Sequence, residues 1–252
     1  SDGAGPEGGL IRDSENTLYG VTSTGGANEW GTVFKLDASG NFTLLYTFKG
    51  APDGAQPTAA LLRDSAGDLY GTTASGGPNN VGIVFKIDPF GNETILHSFS
   101  SGTDGAFPLA PLSGNPEALM YGTTSKGGTN NSGTIFQIDA SGNESVIHTF
   151  IGTDGSDPEA GLLPVRGYLL GTTRGGGSDE CGTVFALTPS RTVKLLHQFT
   201  CAADGEYPSA PLVVDGAGTV YGTTFGETDP VCGNTGLACG TAFKISRQSL
   251  GR

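Results

Sequence analysis

A sequence phrase of about 50 residues occurs five times along the chain and limits the folds open to it. Its centre reads Tyr-Gly-Thr-Thr or a close variant, and successive copies are separated by 51, 51, 49 and 51 residues. The copies of this centre begin at Tyr19, Tyr70, Tyr121, Leu170 and Tyr221. Self-similarity with such a period is typical of a propeller or a solenoid, in which each unit is one supersecondary structure.

Each repeat contains four short runs that are rich in β-branched and aromatic residues and are separated by turns rich in Gly, Asn and Ser. In the second repeat we expect the four strands at 59–64, 69–73, 82–88 and 94–99. Runs such as "IVFKI" are almost continuously apolar, which is typical of a sheet that is buried on both faces. No stretch has a helical period, so we expect almost no helix.

The pattern predicts an all-β fold, a five-bladed β-propeller that occupies 1–252 as a single domain. We expect the four-stranded blades at 5–50, 55–101, 106–152, 156–202 and 206–246, and we number the repeats 1 to 5 in this order. A solenoid would need polar capping repeats at its ends, and the sequence has none. Repeat 5 stops after its third strand, so we expect it to lack an outer strand. Its edge is then either protected or open to strand addition by another chain.

The charge balance limits the partners that the protein can have. The chain carries 13 Lys and Arg residues against 25 Asp and Glu residues, a formal net charge of −12. Because phosphates would be repelled, we expect no nucleic-acid binding. No apolar run approaches the ~20 residues of a membrane span. The chain opens without a signal peptide, as we would expect of a processed protein.

The combination of Tyr-Gly-Thr-Thr, Gly-Gly and Gly-Thr-Val-Phe-Lys resembles the extracellular tandem-repeat family called GloVer, which is found in exported bacterial proteins. The resemblance covers almost the whole chain. It implies a propeller-like protein outside the cell, at its surface or in the periplasm. It implies no catalytic residue, substrate or cofactor. The five-repeat architecture is also similar to that of tachylectin-type lectins, which is a likeness of fold alone.

All four cysteines lie in the last two repeats. Cys181 precedes the third strand of repeat 4 and Cys201 follows the fourth, so antiparallel pairing brings both to one end of a hairpin. Cys232 and Cys239 lie in one loop, and their spacing does not fit a zinc finger. Of the three connectivities, only Cys181–Cys201 with Cys232–Cys239 is local throughout. Disulfides indicate an oxidising compartment.

An Asp-Gly-x-x-Pro segment links each blade to the next, and its aspartates would form a ring of carboxylates for a cation such as calcium. The candidates are Asp53, Asp104, Asp154 and Asp204. The interpretation that we favour is that each carboxylate accepts backbone N–H groups in its own turn. Three histidines occupy one equivalent position in separate repeats, and we expect them to pack rather than to bind metal. They are His97, His148 and His197.

The repeats differ most in the loop after the Gly-Gly pair, where we expect specificity for a ligand. Repeat 5 carries a seven-residue insertion in this loop, and repeat 1 carries the only Trp. These repeats would be neighbours in a closed ring. An exposed Trp30 would then stack on a sugar while carboxylates accept its hydroxyl groups; the alternative is that Trp30 anchors its loop. The candidate ligand-binding residues are Glu29, Trp30, Lys126, Arg174, Phe225, Glu227 and Asp229.

Three functions are compatible with this sequence. The first is an exported, non-catalytic propeller without a cofactor that binds a glycan or another cell-surface polymer through the loops of repeats 5 and 1. The second is a glycan-active hydrolase or lyase that uses Glu29 with Glu227 or Asp229 as acid and base, which requires carboxyl groups ~5–9.5 Å apart. The third is a structural module that assembles through the edge of repeat 5.

Overall fold

The computed structural model describes residues 2–202, 204–226 and 240–246. These residues form an all-β protein, as the sequence predicts, and none of them is helical. In this described part of the chain, no helix is long and apolar enough to cross a bilayer.

Each of the first four repeats forms a four-stranded antiparallel sheet whose strands follow one another in chain order. Sheet 1 consists of β1 (Ile11–Arg12), β2 (Leu18–Thr22), β3 (Thr32–Leu36) and β4 (Phe42–Thr47). Repeat 2 contains β5 (Gly54–Ala55), β6 (Leu62–Arg63), β7 (Leu69–Thr73), β8 (Ser75–Gly76), β9 (Ile83–Ile87) and β10 (Glu93–Ser98). Of these, β6, β7, β9 and β10 form sheet 2, while β5 pairs with β8 alone.

The remaining repeats follow the same order. Sheet 3 consists of β11 (Ser113–Asn115), β12 (Leu119–Thr124), β13 (Thr134–Ile138) and β14 (Glu144–Thr149). Sheet 4 consists of β15 (Leu163–Val165), β16 (Tyr168–Thr173), β17 (Thr183–Leu187) and β18 (Val193–Gln198). Sheet 5 has three described strands, β19 (Val213–Val214), β20 (Val220–Thr223) and β21 (Ala242–Ile245). The outer edge of β21 therefore pairs with no described strand.

The first strand of each sheet is much shorter than the sequence suggests. In repeat 2 only Leu62 and Arg63 pair with β7, although we expected a strand over 59–64. The residues before them approach the preceding repeat instead. A Cβ added at Gly8 would lie 2.9 Å from the carbonyl oxygen of Ala59, so small residues are needed where these segments meet.

Consecutive sheets pack face to face through four apolar clusters, one for each pair of neighbouring repeats. A T-shaped pair of phenylalanine rings lies in each interface. Phe48, just after β4, meets Phe85 of β9 with ring centroids 5.1 Å apart. The equivalent pairs, each with centroids 5.2 Å apart, are Phe99–Phe136, Phe150–Phe185 and Phe199–Phe243. The core is thus a series of interfaces between repeats, and this explains why both faces of each inner strand are apolar.

The repeated motifs are explained by contacts inside each sheet. A Cβ at Gly71, in the centre of Tyr-Gly-Thr-Thr, would lie 2.6 Å from the Phe85 ring and 2.9 Å from Leu61, so only glycine fits beneath these side chains. The last threonine of the motif pairs with the threonine that opens β3, because the Oγ1 atoms of Thr22 and Thr32 lie 2.8 Å apart. Repeats 3 to 5 contain the same buried or partly buried hydroxyl pair.

The described residues do not show a propeller closed by contact between sheet 5 and sheet 1. No apolar cluster among them joins sheet 5 to sheet 1. Phe34 of sheet 1 stacks on Phe42 of its own sheet, with centroids 5.5 Å apart, whereas its equivalents contact the preceding repeat. The sheets and their order agree with the prediction.

Candidate functional site

The linking segments and the Gly-Gly loops lie together on one side of the sheets. In repeat 2, β5 of the linking segment pairs with β8 of the loop. Equivalent isolated bridges join Ala4 to Thr24, Ala106 to Lys126 and Ser156 to Gly175. We call this surface the loop face. Its linking segments are 2–9, 53–60, 104–111, 154–161 and 204–211, and its loops are 22–31, 73–82, 124–133, 173–182 and 224–226.

The residue before the proline of Asp-Gly-x-x-Pro has a fixed backbone and a variable side chain. Like Gly5 of repeat 1, it has positive φ in the four later repeats, at Gln56, Phe107, Asp157 and Tyr207. In each of these four its N–H donates to the loop of the preceding repeat and its carbonyl accepts from the loop of its own repeat. Sequence reasoning misses this position. The sequence feature that could have identified it is that the residue type changes in every repeat inside an otherwise constant motif.

Four ionisable side chains of repeats 3 and 4 form one group on the loop face. Lys126 forms an ion pair with Asp157. Burial raises the pKa of the Glu159 carboxyl above its usual value, and the negative charge of Asp157 adds to this increase. The positive charges of Arg174 and Lys126 oppose it, Arg174 more strongly. The two cations predicted as ligand-binding residues therefore act on the same carboxyl group.

Aromatic residues of repeat 5 extend this group. The guanidinium carbon of Arg174 lies 5.4 Å from the ring centroid of Tyr207, within the range of a cation–π contact. The backbone N–H of Phe225 donates to the Tyr207 carbonyl at 3.3 Å, and the Phe225 side chain is 57% exposed. We call these residues the loop-face cluster, which consists of Lys126, Asp157, Glu159, Arg174, Tyr207 and Phe225.

The other predicted ligand-binding residues lie elsewhere or outside the described residues. Trp30 is 44% exposed, and its indole lies on Gly50: a Cβ there would come within 2.8 Å of Nε1. Glu29 is exposed, with φ 64°, in a turn position that is Asn80 in the next repeat. No described contact joins Glu29 or Trp30 to the loop-face cluster. Glu227 and Asp229 are among the residues that the structure does not describe.

Trp30 and Gly50 occupy the same repeat positions as the two cysteines of repeat 4. Cys181 and Cys201 form a disulfide with Cα atoms 5.4 Å apart, across the hairpin end where the sequence places them. In both repeats this pair of positions ties the Gly-Gly loop to the segment after the fourth strand. The contact of Trp30 thus supports an anchoring role. Cys232 and Cys239 lie outside the described residues.

The repeated aspartates serve their own turns. Asp104 accepts the N–H of Ser100 at 2.7 Å and lies 3.0 Å from Nε2 of His97. Asp53, Asp154 and Asp204 likewise accept a backbone N–H of the segment that leads to them. Each also contacts the Tyr or His of its fourth strand, in the pairs Tyr46–Asp53, His148–Asp154 and His197–Asp204. The three histidines also pack edge-on against the next phenylalanine.

Two of these pairs have a third ionisable neighbour, Glu93 beside Tyr46–Asp53 and Glu144 beside His97–Asp104. Ligand atoms of His97, Asp104 and Glu144 all lie within 4.8 Å of one another. Burial and the nearby charge of Asp104 raise the pKa of Glu144 to about 7, and its Oε1 is buried without a hydrogen-bond partner. No two of the four candidate aspartates share such a group within the described residues. The candidate aspartates are thus engaged in separate turns of the described chain, and a calcium site formed by them stays a prediction.

Comparisons with known proteins extend these observations. A family model described as the Gloeobacter/Verrucomicrobia repeat matches residues 1–178. The fold is similar to that of a solved structure described as "putative gluconolactonase", with a TM-score of 0.52 and 12% identity, covering 90% of this chain and 74% of that chain. That structure is of the propeller type, and at this identity the likeness concerns the fold alone. Among curated proteins there is no significant match. The chain belongs to the Gloeobacter/Verrucomicrobia repeat family.

Proposed function

We propose that the protein is an exported, non-catalytic β-propeller module that binds a glycan through its loop face. The five sheets would be blades of this propeller, and the fifth has no described outer strand. The fold similarity to a propeller-type structure supports this arrangement. The disulfide of repeat 4 supports an extracellular or cell-surface location, because such bonds persist in oxidising compartments.

The loop-face cluster is the observation that carries this proposal. Phe225 offers an exposed aromatic surface, and the ring of Tyr207 is held beside Arg174, an arrangement suited to stacking on the apolar face of a sugar. The carboxylates of the cluster would accept hydrogen bonds from sugar hydroxyl groups, and its cations would donate hydrogen bonds to them. The cluster has two cations and two carboxyl groups, so it carries no excess of either sign. This balance favours a neutral glycan over an acidic one.

A glycan array with neutral and acidic polysaccharides, followed by calorimetric titration, tests the proposal. We expect Phe225→Ala and Tyr207→Ala each to weaken binding about tenfold or more, since aromatic anchors dominate such sites. Phe90→Ala is the matched control, because Phe90 is 90% exposed in the turn between β9 and β10, away from the loop face. Binding that survives both cluster variants, or that Phe90→Ala weakens equally, would refute this site.

A hydrolase is the second candidate, favoured by the raised pKa of Glu159 next to Asp157. A carboxyl group whose pKa is raised by burial is suited to general-acid catalysis. The pairing of Glu29 with Glu227 or Asp229 has no described geometry, so Glu159 replaces it in this hypothesis. A turnover screen on the polysaccharides that bind separates the two functions: Glu159→Gln abolishes turnover in a hydrolase, whereas a binding module shows none to abolish.

Assembly through the edge of β21 is a third hypothesis, since that edge pairs with no described strand. Exposed strand edges accept strands from other chains. Concentration-dependent association that Phe243→Pro, in the middle of β21, prevents would support this function over glycan binding.

A further inference from the structure

Sheets 1 and 5 each expose a face that the other sheets bury against a neighbouring repeat. The leading face lies on the side of sheet 1 that points away from repeat 2. It consists of exposed Leu10, half-buried Leu18 and Leu36, and Phe34, which is 8% exposed beside Leu10. The trailing face belongs to sheet 5, points away from repeat 4 and consists of Val213, Tyr221 and Ala242. Their orientation follows from the apolar clusters, because equivalent residues of the inner sheets contact the preceding or the following repeat.

The leading face has the same residue types as the buried interfaces between repeats, but its side chains are more exposed to solvent. Leu10 is 52% exposed and lies over Gly20 beside Phe34, in the same local packing as its equivalents. Those equivalents are 2–5% exposed, at Leu61, Leu112, Leu162 and Leu212. Phe34 also lacks the edge-on phenylalanine that the preceding repeat supplies to Phe85. Repeat 1 is therefore built to receive the trailing face of a preceding repeat.

The trailing face shows the complementary pattern. Tyr221 is 40% exposed, whereas the equivalent Tyr70 is 2% exposed. Val213 is 61% exposed, although its equivalent Leu62 packs against a core cluster. Ala242 is exposed at a position where the four preceding repeats have fully buried residues, namely Val33, Val84, Ile135 and Val184. Contiguous exposed apolar surface of this kind marks an interaction site.

We propose that the two faces together bind one further four-stranded module of the same repeat, which lies between sheet 5 and sheet 1. Continuity with the four existing interfaces identifies the occupant, because each face presents the residues that such a module would meet. A glycan would not suit these faces, which offer few polar groups.

The protein supplies the material for a direct test. A second copy of residues 53–103 is joined directly to the N-terminal side of Asp2. Thr103 of the copy then precedes Asp2, just as Thr103 of the natural chain precedes the equivalent Asp104. The copy then presents Tyr70, Val84 and Phe99, the residues that bury Leu112 in the structure, to Leu10. We expect this added interface to raise Tm by about 5 °C or more. The control carries Val84→Asp in the added copy only and should lose this gain.

Labelling of a cysteine at position 10 reports on the leading face itself. In the parent chain we expect the Leu10→Cys thiol to react quickly with a maleimide, and in the extended chain at least about tenfold more slowly, because the added repeat covers it. Equal rates in the two chains would overturn the proposal, as would an added copy that stays unfolded. A parent thiol that becomes protected with rising protein concentration would assign the face to a second copy of the chain and would also overturn it.

Discussion

Replacing Glu144 by glutamine tests whether the contacts between repeats contain a titrating group. Glu144 lies on β14 and faces His97 and Asp104 of the preceding repeat. Burial, with the charge of Asp104, raises its pKa from 4.5 to about 7. The folded state thus holds the proton more tightly than the unfolded chain. The stability from this group is present below about pH 4.5 and is lost as the pH rises towards about 7.

The size of the effect follows from the partial burial of the side chain. A carboxyl group that keeps part of its hydration should contribute about 1 kcal/mol rather than the several expected at full burial. For a chain of this length, that corresponds to about 2–4 °C in Tm. Glu144→Gln removes the titration, so the variant should match the parent near pH 4 and exceed its Tm by about 2–4 °C at pH 8.

Scanning calorimetry of the variant and the parent at pH values from 4 to 8 measures this difference. Glu15→Gln serves as the control, because Glu15 is exposed in the turn between β1 and β2. Repeat 4 provides a natural comparison, since Val193 occupies the place of Glu144. An equal loss of Tm in the Glu144→Gln variant and the parent between pH 4 and pH 8 would refute the reasoning.

Three further expectations concern the interfaces and loops. The double variant Trp30→Cys with Gly50→Cys should form a disulfide, seen by mass spectrometry, and raise Tm by about 6 °C, because the two positions match Cys181 and Cys201. Reducing the native disulfide of repeat 4 should lower Tm by a similar amount, which calorimetry with and without a reductant measures. Phe185→Ala should cost about 3–5 kcal/mol in urea unfolding, since the ring is fully buried, whereas an exposed phenylalanine should cost less than about 0.5 kcal/mol.

The sequence predicts most of the sheet structure because each repeat satisfies the same local constraints. The three longer strands of repeat 2 lie within a residue of their expected bounds, as in β7 (Leu69–Thr73). The first strand is overestimated because β propensity does not report which residues find a partner: Ala59 lies against the preceding repeat instead. Contacts between repeats are long-range, and the local pattern does not encode whether the ring closes.

The candidate site was harder to predict, since its members come from three repeats. Lys126 and Arg174 stood out as rare cations, but their shared neighbour Glu159 lies in a linking segment that looked purely structural. Trp30 stood out as the only tryptophan, yet its indole covers a glycine of its own repeat. A rare residue type shows where one repeat differs from the others. Only the three-dimensional contacts show whether such a residue anchors a loop or faces solvent.

The position of Tyr207 shows how a side chain of this repeat can vary without loss of the fold. Its backbone is held on both sides, by Cys181 of the preceding repeat and by Phe225 of its own loop, and it has positive φ. Such hydrogen bonds constrain the main chain whatever side chain is present. The equivalent residues are Gln56, Phe107 and Asp157, which span amide, aromatic and acidic chemistry. Selection can therefore change these side chains at little cost in stability, so ligand specificity should reside in them rather than in the constant residues of each sheet.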